Sequence, residues 1–177
     1  MNLPLVITVV GPDRAGLVSA VSDAVAAHGG TWLESRLARL AGQFAGVVRV
    51  NVPDDRAPAL EAALAALPGL NVTVTRGGAP EAAPKRRLRL ELLGLDRPGI
   101  VRDATAALSR LGVNIAEFDS DLRPAPFSGV PMFHAKAVLE SPEIVSLNAV
   151  RDALEALAGE LTAEFPGGEA GVTLASD

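Results

Sequence analysis

Two stretches of this chain carry the same succession of apolar and polar positions. The first reads LVITVV at 5–10 and, after a short turn, GLVSAVSDAVAAHGG at 16–30; the second reads LRLELL at 88–93 and GIVRDATAALSRLG at 99–112. A short aliphatic run bounded by turn residues predicts a strand, and the alternation in LRLELL strengthens it. In the segments that follow, Leu17, Val18, Val21, Ala24, Val25 and His28, and then Ile100, Val101, Ala104, Ala107, Leu108 and Leu111, recur at helical spacing. Gly29 or Gly30 and Gly112 supply the stops. Each helix therefore has one apolar stripe that must lie on something.

The rest of each copy follows the same plan. TWLESRLARL and QFAGVVRVNV flank Ala41 and Gly42, while VNIAEFDSDL and MFHAKAVLE flank a longer Pro-rich loop; both pairs predict antiparallel hairpins. Beyond Pro53 and Pro142, Leu60, Leu64 and Leu67 match Val150, Leu154 and Leu157 as the buried stripe of a second helix, and LNVTVT or ELTAEF closes the unit. The order is β-α-β-β-α-β, a ferredoxin-like α+β plan with two helices on one face of an antiparallel sheet. A constant spacing of 83 residues joins Gly11 to Gly94, Asp13 to Asp96, Arg14 to Arg97, Gly16 to Gly99 and Glu34 to Glu117. Phe44 and Phe133 then stand 89 apart, which puts the six extra residues in RPAPFSGVP. That is an internal repeat.

The expected domains are 1–75 and 88–165, with RGGAPEAAPKRR at 76–87 as a linker and a frayed tail over 166–177. Units this small bury little surface alone, so side-by-side packing in one continuous eight-stranded sheet is expected over two independent beads.

Composition narrows the chemistry. Of 177 residues 49% are hydrophobic but only 3% aromatic, so Ala, Val and Leu fill the core, with Phe44, Phe118, Phe127, Phe133, Phe165 and Trp32 as its large pieces. A net charge of −5 argues against direct nucleic-acid binding. The chain has no cysteine, which removes disulfides, thiolate metal sites and a cysteine nucleophile and suits a reducing cytoplasm. The apolar run before Gly11 is too short for a signal segment or membrane span, so the expectation is a soluble cytoplasmic protein.

No catalytic constellation is visible. His28 is expected as a helix-end residue, and His134 as a half-exposed strand residue or a neighbour of a ligand pocket; neither has metal-ligand spacing. Ser19, Ser22 and Ser109 lack a nucleophile elbow, and Glu34 and Glu117 fall in different units. No cofactor is expected: GPDRAG and GLDRPG are neither a Walker loop nor a dinucleotide fingerprint. KRRLR at 85–89 reads as a solvated linker entering a strand.

The two turns are the candidate chemistry. Each lies between a strand end and a helix start, where free N–H groups and the helix dipole favour an anion, and Gly16 and Gly99 let a ligand approach the backbone. A ligand carboxylate there would leave Asp13 or Asp96 to accept from an ammonium, holding both ends of a free amino acid. The other reading is that both Asp residues cap their helices while Arg14 and Arg97 face solvent.

The D-R-P-G turn at Asp96 to Gly99 and G-V-N-I at Gly112 to Ile115, inside such a unit, resemble the ACT domain, a small-ligand regulatory module. GPDRAGLV, TWLESRLARLAGQFAGVVRV and PAPFSGVPMFHAKA further resemble the tandem-ACT family of the glycine cleavage system transcriptional repressor, over about residues 3 to 165. The resemblance implies a non-enzymatic, glycine-responsive co-regulator without a DNA-binding domain, acting by contact with a DNA-bound transcription factor. It places the ligand between the first turn and the start of the second strand, at an interface of two ACT units, within one chain or between two in a homodimer. The positions implied are Asp96, Arg97, Gly99, Ile100 and Asn114, and in the first copy Asp13, Arg14, Gly16, Leu17 and Thr31. There Ala15 replaces the turn proline and Thr31 the asparagine, which makes the first site the weaker one.

Overall fold

The computed structural model describes residues 1–77, 86–126, 128–157, 161–166 and 173–174. Phe127, residues 78–85 of the expected linker, and 167–172 and 175–177 of the expected tail lie outside them. The chain divides into two compact units, Met1–Glu81 and Ala82–Asp177.

In the first unit β1 (Asn2–Pro12), α1 (Leu17–Ala27), β2 (Thr31–Leu40), β3 (Gln43–Pro53), α2 (Ala57–Ala65) and β4 (Asn71–Arg76) follow the predicted order. The sheet runs β2-β3-β1-β4, antiparallel throughout. The second unit repeats it with β5 (Arg86–Leu95), α3 (Ile100–Arg110), β6 (Asn114–Pro124), β7 (Pro131–Ser141), α4 (Leu147–Glu155) and β8 (Thr162–Glu164) in the order β6-β7-β5-β8. A two-residue strand, β9 (Thr173–Leu174), pairs with β5 at Arg86 and Arg87. Arg76, Arg86 and Arg87 thus lie in strands. Among the described residues the ladders make two sheets, one in each unit, where the repeat suggests one continuous sheet.

Alternation decides which face is covered. Leu5, Ile7 and Val9 of β1 are buried, as are Leu88, Leu90 and Leu92 of β5, so these sides carry the helices. Leu17, Val21 and Val25 pack down from α1, and Ile100, Ala104 and Leu108 from α3. The expected stripes are narrower in fact: Val18 and Val101 are 44% and 41% exposed, turned past the edge of the buried face. Phe118 is also more open than expected, at 37%. It faces the helix side, opposite buried Ala137, but stands on the edge strand β6 where the helices no longer cover it. Trp32 and Phe165 are partly buried against their cores.

The β2–β3 hairpin turns on Ala41 and Gly42, with φ of 48° and 75°. Two successive positive φ values give the primed turn that suits strand twist. The second hairpin is spanned by the longer loop, closed by Ala125 N–H donating to the Val130 carbonyl at 2.8 Å. His28 ends α1, its Nδ1–H donating to the Ala24 carbonyl at 2.8 Å, as a helix-end residue should.

Candidate functional site

Each turn is set by backbone constraints before any side chain matters. Gly16 and Gly99 are the N-caps of α1 and α3, with φ of 88° and 85°. An L residue in this left-handed region is strained by roughly 1–2 kcal/mol, so glycine is the residue that starts these helices. Neither helix has a side-chain cap hydrogen bond. The reading of Asp13 and Asp96 as caps is therefore not met, because the cap position has passed to a glycine three residues on. Gly11 answers a different need: a Cβ there would run into the backbone oxygen of Gly69.

The side chains of the two turns have different partners. In the first, Asp13 pairs with Arg39 (Oδ2 to Nη1, 3.3 Å), and Arg14 Nη2 donates to the Pro68 carbonyl at 2.7 Å. Arg14 thus reaches across to the connection between α2 and β4. In the second, Arg97 Nη1 turns to Asp103 Oδ2 at 2.8 Å, and Arg102 Nε donates to the other oxygen at 2.9 Å. The guanidinium of Arg97, and after it that of Arg102, holds the Asp103 carboxyl below the ordinary carboxylate range. The Asp96 carboxylate is exposed and has no hydrogen bond or ion pair among the described residues.

Two sequence differences produce this. Ala20 stands where the second copy has Asp103, so Arg14 lacks a carboxylate to hold it. Arg39 lies opposite Phe44 and Leu122 opposite Phe133, so Asp96 has a leucine where Asp13 finds a guanidinium. Beside the second turn lies a cavity of about 200 Å³, lined by Gly94, Leu95, Asp96, Arg97, Ile100, Leu157 and Leu161. Ile100 and Leu17, both among the expected site residues, are buried core anchors of their helices.

Register separates the remaining two expected residues from the turns. Asn114 lies opposite Glu140, which lies opposite Arg87 at the start of β5; Leu95, just before Asp96, lies opposite Met132 at the start of β7. Along a strand rising ~3.3 Å per residue the two levels are about 25 Å apart. Thr31 is likewise level with Asn51 and Pro4, at the far end of β1 from Asp13. Each unit thus brings Asp96, Arg97, Gly99 and Ile100 together, or Asp13, Arg14, Gly16 and Leu17, and leaves Asn114 or Thr31 at its opposite end.

The open face of the second sheet carries a group the sequence reading missed. His134 is 6% exposed, and its Nε2 lies 2.7 Å from Glu91 Oε1 and its Nδ1 3.1 Å from Asp121 Oδ1. Carboxylates only accept, so both contacts are hydrogen bonds when the ring carries both protons. The His134 hydrogen bond, then the charge of Lys136, lowers the Glu91 carboxyl; Arg123 first, then His134, lowers that of Asp121. The available signal was phase: His134 alternates with Lys136, on the face opposite buried Phe133 and Ala135. Among the described residues no three His, Asp or Glu side chains are grouped to hold a metal ion, and no helix is long and apolar enough to cross a membrane.

A family model for the ACT domain matches residues 4–71. The same fold recurs in the second copy. The first unit therefore carries the ACT-domain match, and the second unit repeats its element order and sheet topology. The chain resembles the glycine cleavage system transcriptional repressor of Escherichia coli (strain K12), at 27% identity over 164 residues, covering 90% of this chain and 86% of that protein. A crystal structure of an unknown protein from Galdieria sulphuraria superposes with a TM-score of 0.79 at 30% identity, covering 93% of this chain and 98% of that one. A second, provisionally assigned as a glycine cleavage system transcriptional repressor, superposes with a TM-score of 0.69 at 18% identity over the same shares, a likeness of fold. The ACT-domain match in the first unit and the repressor likeness together support a regulatory, amino-acid-sensing role.

Proposed function

We propose that this chain is a non-enzymatic regulator in the cytoplasm that binds a small free amino acid at the Asp96 turn and acts by contact with another protein, such as a DNA-bound transcription factor. The observation that carries the reading is the Asp96 carboxylate, left without a partner among the described residues, beside a cavity and at a helix start where only the Ile100 N–H, which donates to the Arg97 carbonyl, is engaged before the intrahelical ladder begins at Asp103. An ammonium satisfies the former and a carboxylate the latter. Glycine is the first candidate, from the name borne by the repressors this chain resembles. The acidic net charge of −5 fits action through protein rather than DNA.

Asn114 and the Asp96 turn can share a ligand only if one of them comes from outside the unit, since the two stand at opposite ends of it. The test is a thermal-shift panel of free amino acids on the full chain. A ligand that binds only the native state stabilises it by about 2.7 kcal/mol at a hundredfold excess over its Kd. A melting temperature indifferent to every amino acid would sink the proposal.

A further inference from the structure

Resting on the reading that the Asp96 turn binds a free amino acid, we infer that this site takes one with a branched aliphatic side chain in preference to glycine. The cavity wall divides by chemistry. Asp96 and the backbone at the start of α3 offer polar groups; the side chains of Leu95, Ile100, Leu157 and Leu161 are apolar. Ile100 and Leu161 are buried, Leu157 is part-buried, and Leu95 stands 39% exposed. Glycine would satisfy the polar groups and leave Leu95 and the part-buried Leu157 facing water. Each methylene that a ligand adds against such a lining raises affinity about fourfold. A volume of about 200 Å³ is below the roughly 300–1,000 Å³ of pockets for drug-sized ligands, which suits valine, leucine or isoleucine better than an aromatic ring. Among the described residues the lining offers no charge for a third ionic group beyond Asp96, because Arg97 is committed to Asp103. In the first unit Arg14 binds the Pro68 carbonyl and Asp13 is held by Arg39, so the inference concerns the second turn.

Calorimetric titration of the full chain with glycine, valine, leucine, isoleucine and phenylalanine tests this. The expected result is that the branched three bind at least about tenfold more tightly than glycine. Leu157→Ser is expected to bring leucine down toward glycine and leave glycine unchanged. Leu95→Ser, at an exposed position, reads the same effect if Leu157→Ser fails to fold. Glycine binding as tightly as the branched set, or leucine binding untouched by either variant, would overturn this inference and leave the amino-acid reading standing. Absence of heat with every amino acid would overturn both.

Discussion

In the first unit Asp13 is held by Arg39 and Arg14 reaches the Pro68 carbonyl; in the second Arg97 is held by Asp103 and Asp96 by nothing described. The backbone is the same in both, down to the left-handed glycine that starts the helix. Duplication thus kept the turn as a structural device and let its side chains diverge. Two substitutions at the partners, Ala20 against Asp103 and Arg39 against Leu122, suffice to redirect both arginines and release one carboxylate. The GPDRAG turn spends its polar groups on holding itself together, while the GLDRPG turn keeps some of them available.

Three perturbations probe that difference, beginning with the largest. Gly16→Ala and Gly99→Ala should each lower stability by about 1–2 kcal/mol, since both impose the same left-handed strain; urea denaturation of the two variants should give similar losses, and a clear inequality would break the claim of a shared backbone. Arg14→Ala removes a hydrogen bond to a carbonyl and should cost about 0.5–1 kcal/mol, whereas Arg97→Ala should leave the connection between α2 and β4 untouched. Amide exchange near Pro68 distinguishes them, and protection lost in Arg97→Ala would contradict the assignment.

The third is smaller and depends on pH. Asp103, Glu91 and Asp121 all have folded pKa values below the ordinary carboxylate range. Such groups contribute stability that is fully present above their unfolded pKa, near 4, and is lost as pH falls through the folded value. Acidification from about pH 6 to about pH 3 should therefore erode the second unit through these three residues. Asp103→Asn, Glu91→Gln and Asp121→Asn should each flatten the acid limb of a denaturation profile, and profiles superimposable on the parent would refute the ion pairs as drawn.

The duplicated β-α-β-β-α-β order was legible because alternation, helical spacing and turn glycines are local. Even the choice of Gly16 and Gly99 as helix starts lies in six adjacent letters. What decided the chemistry of the turns is not local. Arg14 and Pro68 are 54 residues apart, Arg39 and Asp13 26, and His134 and Glu91 43, so each contact depends on a strand register that no window of sequence contains. The same cause separates Asn114 from Asp96: the motif read them as neighbours, and antiparallel pairing sends them to opposite ends of the sheet. Phe118 shows the other limit, since hydrophobicity marks the helix-bearing side but not how far the helices extend over it.

The central claim is that the second turn has retained binding capacity and the first has not. Calorimetric titration of the parent chain, Asp96→Ala and Asp13→Ala with the tightest-binding amino acid of the panel tests it most directly. The account predicts that Asp96→Ala abolishes the heat of binding and that Asp13→Ala leaves affinity and stoichiometry unchanged. Binding that survives Asp96→Ala, or that is lost in Asp13→Ala, would contradict it.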